Sequence, residues 1–374
     1  GLRWAIAGRN EQRLEALRAE LGLVALPILL ASADDRASLD RLAARSRVIC
    51  STVGPYALHG SGVVAACAEA GTHYCDITGE VQWIREMIDR NEQVAGDSGA
   101  RLVQCCGFDS IPSDIGCLLL QETAVARFGA ACDEVRFLLR NASGGFSGGT
   151  VASLLNLVEA AGEDRALRRQ LADPYSLCSP DPSRPPAPSD QGGARYDDQA
   201  RSWTAPFLMG PVNSRIVYRS NQLLDGLYGD AFRYSECVTT GRGLRGRATA
   251  TALSTGLKSF VAAAAVAPLR RFMQKRFLPA PGEGPTAAER EAGFFDIRFV
   301  GLKSGQRIDT RVTGDRDPGY GATSLMLAEC ALGLAEGRVR DGLGGGSFTP
   351  ASCFGTALIE PLETHAGMRF SVDA

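Results

Sequence analysis

Apolar and polar positions alternate between two periods along the first part of the chain. Short apolar runs predict buried strands at residues 2–7, 24–31, 48–51, 72–76 and 101–105. Between them, residues 10–21, 38–44, 61–70 and 81–95 carry apolar positions at helical spacing, with Leu14, Leu17 and Leu21 as the first such set. Gly71 follows the third of these stretches, where a left-handed terminating residue belongs. Buried strands alternating with helices specify βαβ units and a parallel sheet.

The pattern changes near Asp133. Residues 134–141 alternate like a strand with one wet face, and 150–161 read as a helix. Further strands are expected at 214–219, 233–240 and 295–301, and a strong helix at 323–334. Residues 174–200, rich in Pro, Ser, Asp and Gly, read as a long flexible loop or disordered insert, and 279–288 as a second linker. A chain of 374 residues with such a change of pattern is expected to hold two domains.

Composition narrows the function. Hydrophobic residues at 45% and charged residues at 22% are those of a globular protein. A net charge of −2 without basic clusters argues against a nucleic-acid partner. The 11 cysteines lack C-x-x-C spacing, and with only His59, His73 and His365 beside them no zinc site of familiar spacing is expected. Cys50, Cys67 and Cys117 read as buried hydrophobes in a reducing compartment. The apolar run at 260–269 is too short to span a bilayer, and no targeting signal is visible, so a cytoplasmic location is expected.

The candidate chemistry gathers at the carboxyl ends of the expected strands, where open α/β sheets bind ligands. The first strand ends in Gly8-Arg9-Asn10. No carboxylate is present to select NAD, and Arg9 suits the 2′-phosphate of NADP; a solvated arginine in a first helical turn is the competing reading. The third strand runs into Ser51-Thr52-Val53-Gly54-Pro55, small residues that let a cofactor approach the backbone, or a plain Gly-Pro turn. Asp76, Thr78, Gly79 and Glu80 end the fourth strand, although Glu80 also suits a first helical turn. The fifth leads into Asp109 and Ser110, with Ser113 as the expected N-cap and Asp114 beside it. The glycine-rich fingerprint that precedes such a strand is absent from the sequence: either the fold is not of the dinucleotide-binding type, or a first strand and its loop are missing ahead of Gly1, and the latter is the expectation.

The segments AGRN (7–10), STVGPY (51–56), YCDITGE (74–80) and CGFDSIPSD (106–114) together resemble the saccharopine-dehydrogenase-like oxidoreductases, in particular the branch of lipid-biosynthetic trans-acting enoyl reductases. The likeness continues through GGFSGGTVASLLN (144–156), PFLMGPVNSRIVYRS (206–220), DPGYGATSLMLAECALGLA (317–335) and GGSFTPASCFGTALI (345–359). It implies an α/β fold: an incomplete Rossmann domain, a doubly wound parallel sheet lacking its first strand, over 1–130 and completed by 336–374. A second α+β domain at 131–335, with a mixed or antiparallel sheet, would shape the substrate site and a homodimer contact.

The resemblance further implies NADP as cofactor and hydride transfer to an unsaturated, lipid-like acceptor in lipid or glycolipid biosynthesis. Tyr56 and His59 are then the candidate proton donors, and Asp109 or Ser110 would orient substrate. Arg9, Asn10, residues 51–55, Asp76, Thr78, Gly79 and Glu80 would contact cofactor. Two alternatives stay open. A saccharopine-type amino-acid dehydrogenase would use Arg215, Arg219 and Arg233 against substrate carboxylates, whereas apolar lining at Phe207, Met209 and Leu224 favours a lipid. A non-catalytic protein at a membrane or lipid-droplet surface would use residues 259–277 as an interfacial helix.

Overall fold

The computed structural model describes residues 2–144, 148–277 and 284–373. The chain opens with β1 (Ile6–Gly8), α1 (Glu11–Glu20), β2 (Ile28–Leu30), α2 (Arg36–Ala44), β3 (Val48–Ser51) and the short α3 (Tyr56–His59). It continues through α4 (Ser61–Ala70), β4 (His73–Asp76), α5 (Val81–Ser98), β5 (Arg101–Val103) and α6 (Ile111–Phe128). Local chemistry sets the boundaries. Asn10 caps α1 by accepting the Arg13 N–H at 3.0 Å, and Asp35 caps α2 through Ser38. Gly71 ends α4 at φ 72°, and a Cβ there would sit 2.9 Å from the Ser98 carbonyl oxygen, so no other residue fits without a shift.

The later elements are β6 (Glu134–Ser143), α7 (Gly148–Glu163), α8 (Arg165–Ala172), β7 (Arg195–Asp197), β8 (Ser202–Pro206) and α9 (Gly210–Leu223). Then come β9 (Arg233–Gly241), α10 (Gly243–Ala265), α11 (Ala267–Phe277), α12 (Ala287–Ala292), β10 (Phe294–Lys303) and β11 (Gln306–Gly314). The chain closes with α13 (Thr323–Glu336), β12 (Gly346–Phe348), α14 (Pro350–Phe354), α15 (Ile359–His365) and β13 (Met368–Val372).

The parallel strands form two sheets. One is the pair β1–β2, and the other has the order β12-β5-β4-β3. Among the described residues β1 pairs only with β2 and β3 only with β4, and α2 packing on α4 connects the two sheets. The third sheet is mixed, in the order β13-β11-β10-β6-β9-β8-β7, with β6 and β9 its parallel pair. Helix α6 lies between this sheet and the four-stranded one. Its Ile115, Leu118 and Leu120 share one apolar core with Val103, Phe137, Phe299 and Val312. Gly116 is required there, because a Cβ would meet the Phe299 ring at 2.5 Å.

Several sequence expectations are corrected. Of the first expected strand only Ile6 and Ala7 pair, in a strand that runs on to Gly8. Residues 214–219 are helical, inside α9. The β-branched run Ile216-Val217 followed by Tyr218 imitates a strand, and the helix is buried continuously from Asn213 to Ser220, so it shows no polar face from which to read a 3.6 period. Strand β11 had no counterpart in the pattern reading. The 174–200 segment, expected to be a flexible loop, is tied down: Leu177 and Cys178 are buried, Asp190 pairs with Arg215, and β7 joins the mixed sheet. Residues 279–283 of the second expected linker lie outside the described residues. The closing segment divides: β12 extends the parallel sheet, while β13 adds to the mixed one. Cys67 and Cys117 are buried, but Cys50 is exposed on the edge strand β3.

Candidate active site

The loop after β3 is held from beneath. Glu80, buried at the start of α5, accepts the N–H groups of Tyr56 at 2.8 Å and Ala57 at 3.0 Å, placing a carboxylate at the N-terminus of α3. Ser153 of α7 donates to the same carboxylate at 2.9 Å. The Tyr56 hydroxyl donates to the Ser51 carbonyl at 2.9 Å, and the ring packs on Trp83. Burial pushes this phenol far above its ordinary range. Tyr56, expected as a proton donor, therefore braces the loop in this structure. What remains at the surface is Thr52, Val53 and Gly54, ahead of a cis Gly54–Pro55 bond. A Cβ on Gly54 would meet nothing nearer than the Tyr56 ring at 3.5 Å, so the outer side of this backbone is open.

Asp76 is fully buried at the end of β4. It accepts from the Thr78 N–H at 3.1 Å, the Cys105 N–H at 3.1 Å and the Tyr74 hydroxyl at 3.0 Å. Burial raises its carboxyl to about 7 against the pull of those donors. It holds Cys105 at φ 63°, a left-handed conformation rare for a residue with a side chain. Thr78 is also buried, its hydroxyl accepting the Glu80 N–H. Asp76, Thr78 and Glu80, expected to face the cofactor, are instead turned inward, where they accept backbone N–H groups left by the turns after β3, β4 and β5. Gly79 stays partly exposed and abuts the Met209 methyl at the start of α9.

The loop after β5 carries Asp109. The Phe108 N–H donates to Thr323 Oγ1 at 3.0 Å, and the Phe108 ring meets Phe295 edge-on, so the peptide before Asp109 is fixed. Asp109 itself is half-buried and has no hydrogen bond or ion pair among the described residues. Burial alone raises its carboxyl to about 6. His59 is half-buried at the end of α3, likewise without a hydrogen bond among the described residues.

Ser110, not Ser113, occupies the cap position of α6; Ser113 lies in the first turn. Ser110 is fully buried and donates to Asn213 Oδ1 at 3.1 Å. Asn213 in turn donates to Ser113 Oγ at 3.1 Å and to Glu236 Oε2 at 2.9 Å, and the Tyr234 hydroxyl donates to Glu236 Oε1 at 2.7 Å. Burial raises Glu236 to about 7. Sequence reasoning missed Asn213 and Glu236. The available signal was parity: Tyr234 and Glu236 share the inward face of β9, and an acid at such a position requires partners.

Arg9 projects from the end of β1, exposed and without a hydrogen bond or ion pair among the described residues, while Asn10 is spent on capping α1. The arginines proposed for a carboxylate-rich substrate do not converge. Arg215 is buried against Asp190 and the Leu171 carbonyl, Arg219 against the carbonyls of Leu177 and Ser347, and Arg233 is exposed at the start of β9. Phe207, Met209 and Leu224 belong to the main core.

Residues 51–55, Gly79 and Asp109 thus gather at the carboxyl ends of adjacent parallel strands, with an exposed backbone, an isolated acid and, on the neighbouring pair of strands, an unpaired guanidinium. This set fits a phosphorylated dinucleotide: Arg9 is free to take a phosphate and residues 52–54 leave room for close approach. A site of this kind is what a nicotinamide-dependent oxidoreductase requires. The saccharopine dehydrogenase NADP-binding domain family matches residues 1–103. A Mycobacterium tuberculosis protein provisionally named as a trans-acting enoyl reductase is 43% identical over 96% of this chain and 88% of its own length. The trans-acting enoyl reductase of Mycobacterium ulcerans is 37% identical over 96% of this chain and 89% of its own. Among solved structures, apo saccharopine dehydrogenase (L-Glu forming) from Saccharomyces cerevisiae aligns over 99% of this chain and 94% of that one, with a TM-score of 0.48 at 13% identity. The chain belongs to the trans-acting enoyl reductase family of saccharopine-dehydrogenase-like proteins, and it is an NADP-dependent oxidoreductase.

Proposed function

We propose that this protein reduces the carbon–carbon double bond of an α,β-unsaturated, lipid-like acyl group in lipid or glycolipid assembly, with Asp109 as the proton source. NADPH supplies the hydride when bound. The chain's own task is then to hold the acceptor and deliver one proton to its α-carbon as enolate charge develops. The carrying observation is Asp109: a half-buried, unpaired carboxyl raised to about 6, beside the loops that would hold cofactor. An acid poised that close to neutrality is protonated often enough to donate and acidic enough to do so quickly.

Arg9 would take the 2′-phosphate, and the backbone of residues 52–54 would lie against the dinucleotide. Ser110, bonded to Asn213, fixes the start of α6 directly behind Asp109. The names of the mycobacterial relatives support an enoyl acceptor. The saccharopine-type alternative is disfavoured because Arg215 and Arg219 are consumed inside the fold.

The test is NADPH oxidation with long-chain 2-enoyl thioesters against short-chain ones and against amino-dicarboxylate substrates. Turnover that rises with acyl length supports the proposal. Turnover only with amino-dicarboxylates overturns it.

A further inference from the structure

The two helices that follow the mixed sheet's inner strands have an unusual charge pattern. Every charged residue from 242 to 277 is Lys or Arg, in a chain whose net charge is −2. Helix α10 buries only Gly246, Ala250, Ser254 and Ala264. The rest of its surface is small residues (alanine, threonine, serine and glycine), a few large apolar residues and cations, with no acidic partner for any i,i+4 pair. A solvated helix of this length would carry both signs.

The helix breaks at Val266, which is extended at φ −96° and ψ 112°, ahead of Pro268 in the first turn of α11. The axes of α10 and α11 then meet at 111°. Around this elbow Val261, Val266, Leu269 and Phe272 are exposed, Phe272 to 60%. Lys258 and Arg271 flank them, also exposed. Arg270 is spent differently, buried against Glu159 of α7 and the Ala264 carbonyl, so the elbow is fastened to the body. At its other end α10 starts from Arg242, which lines a 690 Å³ groove with Arg140, Arg201 and Arg298 and a single acid, Asp296. Among the described residues no single helix is long and apolar enough to cross a bilayer.

We propose that α10 and α11 form a peripheral docking surface for an anionic lipid membrane, with the elbow seated among the acyl chains and the cations on the headgroups. Large exposed apolar side chains set among cations alone match that interface and few others. A second copy of the chain fits poorly, since a twofold contact would set this all-basic surface against itself. The surface also lies one helix from the active site: on α7, Leu155 packs with Ala264 and Met273, while Ser153 reaches Glu80. A lipid-like acceptor would enter from the docked side.

The experiment is flotation of the full chain with phosphatidylcholine vesicles containing phosphatidylglycerol, compared with phosphatidylcholine alone, at low and moderate salt. The expected result is flotation with the anionic vesicles that weakens as salt rises and falls about fivefold in Arg271→Glu. The double variant L269E/F272E should abolish flotation while keeping the wild-type melting transition, because both side chains face solvent. A chain that stays unbound to anionic vesicles at low salt overturns the proposal, as does unchanged flotation of L269E/F272E. A vesicle-free dimer that L269E/F272E dissociates also overturns it, by assigning the elbow to a second copy. The docking proposal and the enoyl-reductase reading fail separately, since flotation needs no turnover.

Discussion

The Glu80 carboxylate receives the Tyr56 backbone N–H at 2.8 Å, and through that bond the start of α5 sets the shape of the loop after β3. Removing it strands two N–H groups and the Ser153 hydroxyl. Glu80→Ala is expected to cost about 2–4 kcal/mol of stability, and to weaken NADPH binding as residues 52–54 lose their shape. Glu80→Gln, which keeps one acceptor, should cost less than half as much. Denaturant unfolding beside an NADPH titration checks both effects, and a variant that loses stability without losing cofactor affinity would separate the loop from the site.

Asp109 must be protonated to act as an acid. With its carboxyl at about 6, turnover in the reducing direction should hold below that pH and fall about tenfold per unit above it. Asp109→Asn should lower kcat by about a hundredfold or more, flatten the profile and leave the NADPH dissociation constant unchanged. A steady-state pH series on both proteins decides this. An unaltered profile in the variant assigns the proton elsewhere, with His59 next in line.

Three buried carboxyls also make stability depend on pH. Asp76, Asp114 and Glu236 are each raised to about 7 by burial. Between the ordinary carboxylate range near 4 and about 7, the folded chain holds protons that the unfolded chain has released. Unfolding therefore releases protons in that window, and stability falls as pH rises through it. Melting temperature should be higher at pH 5 than at pH 7.5, and Glu236→Gln should reduce the difference. A flat melting curve across this window would contradict the assignment.

Arg9 is the cheapest test of cofactor choice. Arg9→Ala should weaken NADPH binding about tenfold or more and leave NADH binding nearly unchanged, because only the 2′-phosphate loses its partner. Nicotinamide fluorescence titrations with the two cofactors report this directly. Equal losses for both would place Arg9 outside the phosphate site.

Much of the parallel layer was legible because its strands are short, apolar and bounded by capped helices. Val48–Ser51 and the end of β4 fall where the periodicity puts them. Helix α9 was not legible, since burial on nearly every side erases the amphipathic period that distinguishes helix from strand. The strand-end motifs pointed to the right loops but not to the right duties. A carboxylate at a strand terminus reads the same whether it faces a ligand or the interior. What turned Asp76 and Glu80 inward were donors at Cys105 and Tyr56, remote in sequence and visible only once the turns are stacked. The Ser110–Asn213–Glu236 chain needed contacts between α6, α9 and β9 that no local pattern encodes.

Helix α6 has a final consequence. Because Ile115, Leu118 and Leu120 share one apolar core with both the parallel and the mixed sheet, the two layers cannot swing apart like jaws without wetting that core. A hinge motion between the layers is therefore costly, and cofactor is expected to come and go through local shifts of the loops after β3 and β5 instead.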